Sequence, residues 1–343
     1  MKAIVINQHG GLEVLQAVEL PTPAIGANDI LIDVKATALN RVDLFVREGW
    51  AGLKVTFPHI LGCDVAGVIA ATGANVKELK VGQRVAVNPT LSCGECEWCL
   101  RGEDQMCNQW KLLGEHVNGG YAEQVAVPAR NAVVMPDSIT FEQGAAASLV
   151  MVTAWHSLIR KGRLRAGESV LVVGAGGGVN SVSIQIAKLA GAKVYVVASN
   201  AAKAARAREL GADVCIDRAQ TPDWARALYS LTNKRGVDVV VDNVGAATWM
   251  SSIRALAKGG RMLVVGNTSG PKFEMDSRFI FAKHISIIGS TMGSQQDYRD
   301  VMALVFEGKL NAPIERVLPL AEASEAQRLL AEGDVFGKLV LAP

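Results

Sequence analysis

The 343-residue sequence predicts an α/β protein built from a β-rich first part and a doubly wound parallel sheet in the second part. In the first third, short segments alternate apolar and polar residues between turn residues, which is typical of antiparallel strands. From near Glu142 onwards, continuous runs of valine, isoleucine and leucine alternate with helical segments, which is typical of parallel strands covered on both faces. The length also suits two domains.

The composition and charge pattern narrow the possible partners. Half of the residues are hydrophobic and 20% are charged, as in packed globular proteins. Lysine and arginine total 35 against 33 acidic residues, so the charge balance indicates neither nucleic acid nor a membrane surface as partner. The N-terminal residues lack a signal-peptide pattern, and the longest charge-free stretch, 169–187, contains glycines and polar residues. We therefore expect a cytoplasmic protein acting on a small molecule.

The candidate strands differ between the two parts. In the first part they cover 3–6, 29–36, 65–72, 84–87 and 121–128. In the second part they cover 169–173, 193–198, 237–241, 261–265 and 285–288. The residues that follow predict a helix from near Ser294, a helix over 321–332 and a strand over 338–342, which we expect to join the first part.

Turn residues mark the ends of several helices. The run Thr221-Pro222-Asp223 predicts a helix with Thr221 as its N-cap and Pro222 at its first position. Gly211 and Gly308 stand where helices are expected to stop, because glycine readily adopts the left-handed backbone of a helix end.

Four of the six cysteines fall within fifteen residues and are the strongest chemical signal in the sequence. Cys93, Cys96, Cys99 and Cys107 have the spacing C-x2-C-x2-C-x7-C. Four thiolates in one short segment can close a tetrahedral shell around a structural zinc ion. The alternatives are an iron–sulfur cluster, which needs comparable thiolates, and four unrelated reduced cysteines.

A glycine-rich turn follows the predicted strand 169–173. It contains Gly176, Gly177, Gly178 and Val179, and a helix over 181–189 follows. Glycines let the backbone approach a pyrophosphate, and the helix N-terminus supplies free N–H groups. A plain tight turn is the alternative, but the strand–turn–helix context favours a dinucleotide site.

The end of the next strand bears on which dinucleotide binds. An NAD-specific site places an acidic residue there for the ribose 2′-hydroxyl, whereas this chain has Ser199 and Asn200. Lys203 and Arg206 follow and would attract a 2′-phosphate, unless they are ordinary surface charges. The pattern favours NADP(H) over NAD(H).

Polar residues also interrupt apolar segments near the start of the chain. Asn40, Asp43, Cys63 and Asp64 either line one cleft, or they are satisfied turn residues beside a small buried thiol. The residues alone leave both interpretations open.

Taken together, these motifs resemble the medium-chain dehydrogenase/reductase superfamily, which contains the zinc-type alcohol dehydrogenases and the quinone and enoyl reductases. Besides the cysteines and the glycine turn, the resemblance rests on the segments 39–43, 62–67 and 119–123, and it covers nearly the full length. It implies a GroES-like catalytic domain at 1–150 and 289–343, with a zinc lobe at about 90–110, and a Rossmann domain at 151–288.

The resemblance is incomplete at the position of the catalytic metal. Zinc alcohol dehydrogenases hold that metal with Cys, His and Cys, often with a nearby Glu. The matching positions here are Asn40, Cys63, Leu149 and, for the Glu, Asp64. Leucine cannot ligate, and asparagine is a poor zinc ligand. The family's proton-relay hydroxyl is replaced by Val42. The resemblance thus implies one structural zinc per chain without a catalytic zinc.

Roles for single residues also follow from the resemblance. Asn40 is expected to orient the substrate or the nicotinamide ribose, with Asp43, Cys63 and Asp64 at the polar end of the cleft and Trp50 shaping the pocket, unless Trp50 is a core or surface aromatic. Arg41 and Lys338 are expected at the cofactor phosphates. Contacts around the nicotinamide are expected from Thr153, Asn243, Val244, Gly266, Asn267 and Thr268.

Three functions remain open at this point. The first is an NADP(H)-dependent oxidoreductase that transfers hydride to an activated alkene or a quinone. The second is a zinc-dependent alcohol or aldehyde dehydrogenase with an atypical metal site at Cys63 and Asp64. The third is a non-catalytic NADPH-binding protein. Relatives pair their sheets through the strand matching 285–288, so we also expect a homodimer or homotetramer.

Overall fold

The computed structural model describes residues 1–343, and the chain divides into two compact units. The first unit comprises Met1–Val152 and Gly293–Pro343, and the second comprises Thr153–Met292. The second unit is therefore continuous in sequence, whereas the first is built from two separate segments.

Eighteen strands are formed. In chain order they are β1 (Lys2–Ile6), β2 (Leu15–Glu19), β3 (Asp29–Ala38), β4 (His59–Ile60), β5 (Asp64–Thr72), β6 (Arg84–Val87), β7 (Thr90–Leu91), β8 (Lys111–Leu112), β9 (Gln124–Pro128), β10 (Ala132–Val134), β11 (Ser169–Val173), β12 (Lys193–Ala198), β13 (Val214–Asp217), β14 (Val237–Asp242), β15 (Leu256–Val264), β16 (Ser286–Gly289), β17 (Ile314–Pro319) and β18 (Lys338–Ala342).

Ten α-helices accompany them. They are α1 (Arg41–Glu48), α2 (Glu97–Leu100), α3 (Phe141–Trp155), α4 (Gly178–Leu189), α5 (Ala201–Glu209), α6 (Trp224–Leu231), α7 (Trp249–Ala255), α8 (Arg278–Lys283), α9 (Gln295–Phe306) and α10 (Ala323–Glu332). A π-helical stretch, His156–Lys161, continues α3, and single 3-10 turns cover Leu12–Val14, Asp104–Met106, Ala129–Asn131 and Leu320–Glu322. No helix has both the length and the apolar character to span a bilayer.

The main sheet of the first unit has the strand order β10-β6-β5-β3-β18-β17, and β9 also pairs with β3. The register of β3 with β5 runs from Ile30 opposite Thr72 to Ala38 opposite Asp64. On the other side of β3, Val340 of β18 lies opposite Ala38. The apolar residues of these strands are buried in a continuous core. This register brings the start of β5, the end of β3 and the start of β18 to one place.

The second unit contains a parallel six-stranded sheet with the order β13-β12-β11-β14-β15-β16. The predicted doubly wound fold is thus confirmed for this part of the chain. The strand order reverses at β11, since β12 lies on one side of it and β14 on the other. In such sheets, ligands bind at the carboxyl ends of the strands beside this reversal.

The predicted helix ends are confirmed at two positions and wrong at a third. Gly211 and Gly308 have φ values of 105° and 72° directly after α5 and α9. By contrast, α6 begins two residues later than predicted, with Asp223 as its N-cap in place of Thr221. The reason is that the Asp223 side chain accepts the Arg226 N–H at 3.2 Å, which satisfies a free donor of the first turn.

Candidate functional site

Four cysteines of the first unit converge on one point. The sulfur–sulfur distances are 3.9 Å for Cys93–Cys99, 3.6 Å for Cys96–Cys99 and 3.5 Å for Cys107–Cys93. All four sulfurs lie within 4.8 Å of one another. A tetrahedral zinc ion with Zn–S bonds of about 2.3 Å holds its sulfurs about 3.8 Å apart. The four side chains therefore fit a zinc ion.

Backbone N–H groups point toward the sulfurs of Cys93 and Cys107. The amides of Glu95 and Cys96 lie 3.5 and 3.3 Å from the sulfur of Cys93, and together they lower the pKa of Cys93. The Cys93 amide lies 3.2 Å from the sulfur of Cys107. The thiolate is the form that binds metal. Because four protein ligands leave no position for water or substrate, a zinc ion here would be structural.

A second polar cluster lies where β3, β5 and β18 meet. The Lys338 ammonium donates to the Leu39 carbonyl at 2.6 Å, to Asn40 Oδ1 at 2.6 Å and to Asp64 Oδ2 at 2.9 Å. Asn40 Nδ2 also donates to Asp64 Oδ2 at 2.9 Å. The Leu149 N–H donates to the other oxygen of Asp64 at 2.7 Å. Lys338 is only 2% exposed, and Asp64 is fully buried.

The hydrogen-bond pattern of this cluster assigns the charges. Burial raises the pKa of Asp64, whereas the Lys338 charge and the bond from Asn40 lower it. If Asp64 were protonated, its O–H would face the donors Lys338, Asn40 or Leu149 N–H. The Lys338 ammonium, in turn, has one acceptor for each of its three N–H groups. The arrangement therefore fits a carboxylate paired with an ammonium ion in a buried setting.

Asp43, a predicted member of the site, holds backbone in place. Its Oδ2 accepts the Asn40 N–H at 2.7 Å and its Oδ1 accepts the Gly62 N–H at 3.2 Å. Gly62 has a φ of 100°, which favours glycine at this turn. Complete burial raises the pKa of Asp43 to about 7 despite these bonds. Asp43 thus joins the start of α1 to the loop before β5 and does not present a free carboxylate.

Three further predicted residues have different surroundings. The Cys63 side chain is fully buried, and burial raises the pKa of its thiol, which favours the protonated form. Trp50 lies in the loop after α1 and is 45% exposed on the first unit. Arg41, the first residue of α1, is exposed. The structure therefore does not bring Trp50 or Arg41 into the Lys338 cluster, whereas the buried Cys63 thiol lies within electrostatic reach of Asp43, Asp64 and Lys338.

Asn40 and Lys338 bond to each other and to Asp64, and their expected roles toward the substrate and the cofactor stay predictions. Asn40 Oδ1 accepts from Lys338, and Asn40 Nδ2 donates to Asp64 Oδ2 and to the Ala38 carbonyl, the latter at 3.4 Å. Lys338 was expected at a cofactor phosphate, but its ammonium is buried and has three acceptors. The physical reason is the pairing of β18 with β3, which turns Lys338 toward the interior.

The glycine turn of the second unit lies at the carboxyl end of β11. Gly177 is the N-cap of α4 and supplies no side-chain cap. The turn is accessible, since Gly177 is exposed and Gly176, Gly178 and Val179 are half-buried. A helix N-terminus without a side-chain cap keeps free N–H groups and a positive partial charge. The turn therefore fits a pyrophosphate, as its glycines predict.

Asn180 is a positioning residue of this turn that the sequence analysis did not identify. Its Nδ2 donates to the Val173 carbonyl at 2.9 Å, and its Oδ1 accepts from Asn243 Nδ2 at 2.6 Å. At Gly174, with a φ of 96°, an added Cβ would lie 2.8 Å from Asn180 Nδ2. Asn180 thus links the ends of β11 and β14, the two strands beside the reversal of strand order.

Asp242, at the end of β14, is a second positioning residue beyond those predicted from the sequence. Its Oδ1 accepts the Val244 and Gly245 N–H groups at 2.8 and 3.1 Å. Its Oδ2 accepts the hydroxyls of Thr248 and Ser252 at 2.7 and 2.6 Å. The carboxylate fixes the loop that contains Asn243. An acidic residue directly after an apolar strand was the signal that could have revealed it.

Some of the residues predicted to contact the nicotinamide lie on two neighbouring loops of the second unit. The Thr268 N–H and hydroxyl lie 3.2 and 3.3 Å from the Asn243 carbonyl, which joins the loops after β14 and β15. Gly266 and Asn267 belong to the same loop. Thr153 lies on α3, and its hydroxyl is 3.6 Å from the sulfur of Met292.

The segment that follows β12 contains no acidic side chain, and the acidic residue beside this strand end is Asp217 of β13, which lies opposite Ala198. Ser199 and Asn200 follow the strand, and Asn200 accepts the Lys203 N–H at 2.8 Å as the N-cap of α5. Residues 199–208 contain no aspartate or glutamate. A ribose 2′-hydroxyl thus has no carboxylate acceptor in this segment, whereas Lys203 and Arg206 add positive charge to it.

The Asn40–Asp64 cluster does not fit a catalytic zinc ion. The Leu149 side chain has no ligand atom, Asn40 Oδ1 and Asp64 Oδ2 accept from Lys338, and Asp64 Oδ1 accepts the Leu149 N–H. Among the histidine, cysteine, aspartate and glutamate side chains, the four cysteines described above are the group that gathers three or more ligand atoms. As arranged in this structure, Asn40 and Asp64 therefore offer a zinc ion no ligand atom that is not already hydrogen-bonded.

Comparison with known families gives two matches. Residues 26–137 match the alcohol dehydrogenase GroES-like domain, and residues 178–307 match the zinc-binding dehydrogenase domain. The first match contains strands β3 to β10, and the second contains strands β12 to β16.

Individual relatives include two kinds of oxidoreductase. The chain is 32% identical to an NAD-dependent alcohol dehydrogenase of Sulfolobus acidocaldarius, with 99% of both chains covered. It is 30% identical to an acryloyl-coenzyme A reductase of Sulfurisphaera tokodaii, with both chains fully covered. A crystal structure of an NAD-dependent alcohol dehydrogenase superimposes with a TM-score of 0.97 at 42% identity and covers 100% of both chains.

Proposed function

Because the chain belongs to the medium-chain dehydrogenase/reductase superfamily and is an oxidoreductase of that kind, we propose that it transfers hydride from NADPH to an activated alkene or a quinone. The alkene would be an enoyl thioester or an enone, whose double bond is conjugated with a carbonyl group. The bound nicotinamide supplies the hydride, and the protein supplies binding and orientation.

The observation that carries this proposal is the Lys338–Asp64 ion pair with Asn40. Alcohol oxidation at a zinc ion needs open metal coordination for the alkoxide. Here Lys338 is bonded to the atoms of Asn40 and Asp64 that could ligate. Hydride transfer to a polarised carbon–carbon double bond does not require that metal, and the relative named acryloyl-coenzyme A reductase supports this reaction class.

The residues of the second unit support NADP(H) as the cofactor. The α4 N-terminus would bind the pyrophosphate through its free N–H groups. Asn180 and Asp242 hold the turn and the loop after β14 in place. At the end of β12, neutral Ser199 and the cations of α5 favour a 2′-phosphate over a free 2′-hydroxyl.

The variant Ser199→Asp is expected to reverse the cofactor preference. An aspartate here would repel the 2′-phosphate and could accept from the 2′-hydroxyl, so kcat/KM for NADPH should fall by about two orders of magnitude while that for NADH rises. Steady-state kinetics with both cofactors measure the change. Ser199→Asn is the matched neutral control and should keep the wild-type preference. Equal losses with both cofactors in Ser199→Asp would contradict the placement of the 2′-phosphate.

The reaction class is tested by NADPH oxidation with a panel of enoyl thioesters, enones and quinones, in parallel with NADP⁺ reduction by alcohols. We expect turnover with at least one alkene or quinone, and the zinc content should be about one per chain. Tight NADPH binding without turnover on any of these compounds would instead indicate a non-catalytic binding protein.

The second candidate is an alcohol or aldehyde dehydrogenase with an atypical metal at Cys63 and Asp64, which the names of the alcohol dehydrogenase relatives favour. It requires about two zinc ions per chain and alcohol oxidation that Cys63→Ala abolishes. That combination of results would replace the reductase proposal.

A further inference from the structure

We propose that the Lys338 ammonium is a built-in cation that occupies an oxygen-lined cation site between Asn40 and Asp64, and that it keeps divalent metal ions out of that site. The inference concerns the cation and not the hydride acceptor. It is therefore tested separately from the proposed reaction.

The Lys338 ammonium is surrounded by three oxygen atoms. Its three contacts are the Leu39 carbonyl, Asn40 Oδ1 and Asp64 Oδ2, at 2.6, 2.6 and 2.9 Å. A main-chain carbonyl, an amide oxygen and a carboxylate are also the ligand types that hard divalent cations take. The same three oxygens thus suit either an ammonium ion or a metal ion, but not both at once.

The site around the Lys338 ammonium contains a buried negative charge. Asp64, Asp43 and Cys63 are all fully buried, and the Lys338 ammonium lies 2.9 Å from Asp64 Oδ2. Without Lys338, the Asp64 carboxylate would retain the Leu149 and Asn40 donors but would lose its positive partner. A buried carboxylate in that state must bind a proton or another cation.

The ammonium and the oxygens of this site come from distant parts of the chain. Lys338 is 274 residues from Asp64 and 298 from Asn40, and it enters through β18. The oxygens come from the end of β3 and the start of β5, whose positions are set by the sheet register. Removing the ammonium alone should therefore leave the oxygens in place.

The test is a count of bound Mn²⁺ in wild-type protein and in Lys338→Met. Methionine keeps the apolar stem but is one atom shorter, so it leaves space at the position of the ammonium. Mn²⁺ is the probe because oxygen ligands suit it, whereas the soft thiolates of the cysteine lobe select zinc. Equilibrium dialysis followed by elemental analysis gives Mn²⁺ and zinc per chain in the same sample.

We expect no Mn²⁺ in the wild type and about one Mn²⁺ per chain in Lys338→Met, with the zinc content unchanged. Added Mn²⁺ should also raise the Tm of this variant. The matched control is the double variant Asp64→Asn/Lys338→Met, which has no buried charge to balance and should bind no Mn²⁺.

Two results would overturn the inference. One is stoichiometric Mn²⁺ in the wild type that Asp64→Asn removes. The other is a folded Lys338→Met that binds no more Mn²⁺ than the double variant. If Lys338→Met is not obtained as folded protein, bound Mn²⁺ is counted in Lys338→Gln instead. This variant also removes the positive charge while keeping a polar head, and the same results support or overturn the inference.

Discussion

Replacing Lys338 by methionine in metal-free buffer is expected to lower the free energy of unfolding by about 3–5 kcal/mol, because it leaves the Asp64 carboxylate buried without its counterion. The side chains of this pair are 2% and 0% exposed, so water does not screen the loss. Urea unfolding followed by circular dichroism measures the difference from the midpoint and the slope.

The control for this prediction is the double variant Asp64→Asn/Lys338→Met. Since both charges are removed, and the introduced asparagine side chain would still accept the Leu149 N–H, most of the lost stability should return. If Lys338→Met alone lowers the free energy of unfolding by less than about 1 kcal/mol, the pair contributes no more than an exposed ion pair. That result would contradict a buried, unscreened pair.

Removing zinc from the four-cysteine lobe is the second change with a large expected effect. Structural zinc can contribute on the order of 10 kcal/mol to the folding of the segment that binds it. We expect Cys96→Ser, or chelation of the wild type, to make residues 90–110 sensitive to proteases. The contact between Asp104 and the Gln295 N–H, which is 3.0 Å long, should then be lost at the start of α9.

Limited proteolysis with mass spectrometry, alongside zinc analysis, measures this effect. Cys215→Ser is the matched control because Cys215 lies on β13, outside the lobe, and should change neither zinc content nor cleavage. Unchanged proteolysis of residues 90–110 after complete zinc removal would show that the lobe folds without the metal.

The parallel sheet and the cysteine lobe could be predicted because their signals are local. The apolar runs of β11, β12 and β14 identify strands buried on both faces, and the four cysteines lie within one short segment. Neither inference required knowledge of distant contacts. The same is true of the glycine turn, where the strand, the turn and α4 are consecutive.

The Lys338 cluster could not be predicted because its partners are distant in sequence. A lysine between glycine and an apolar run is usually exposed, and the sequence contains no local signal for its burial. Its inward direction depends on the register of β18 against β3, and a shift of one residue would turn the side chain to the other face. The role of Asn180 likewise depends on the neighbouring strand β14.

The place of Lys338 in the chain also has a consequence for biosynthesis. Synthesis proceeds from the N-terminus and domains fold as units, so the continuous second unit is complete once Met292 has left the ribosome. The first unit must wait for residues 293–342, and until then Asp64 has no ammonium partner and β3 lacks its neighbour β18. A nascent chain paused before residue 338 therefore presents a folded second unit beside an incomplete first unit, which makes the first unit the part that chaperones must protect.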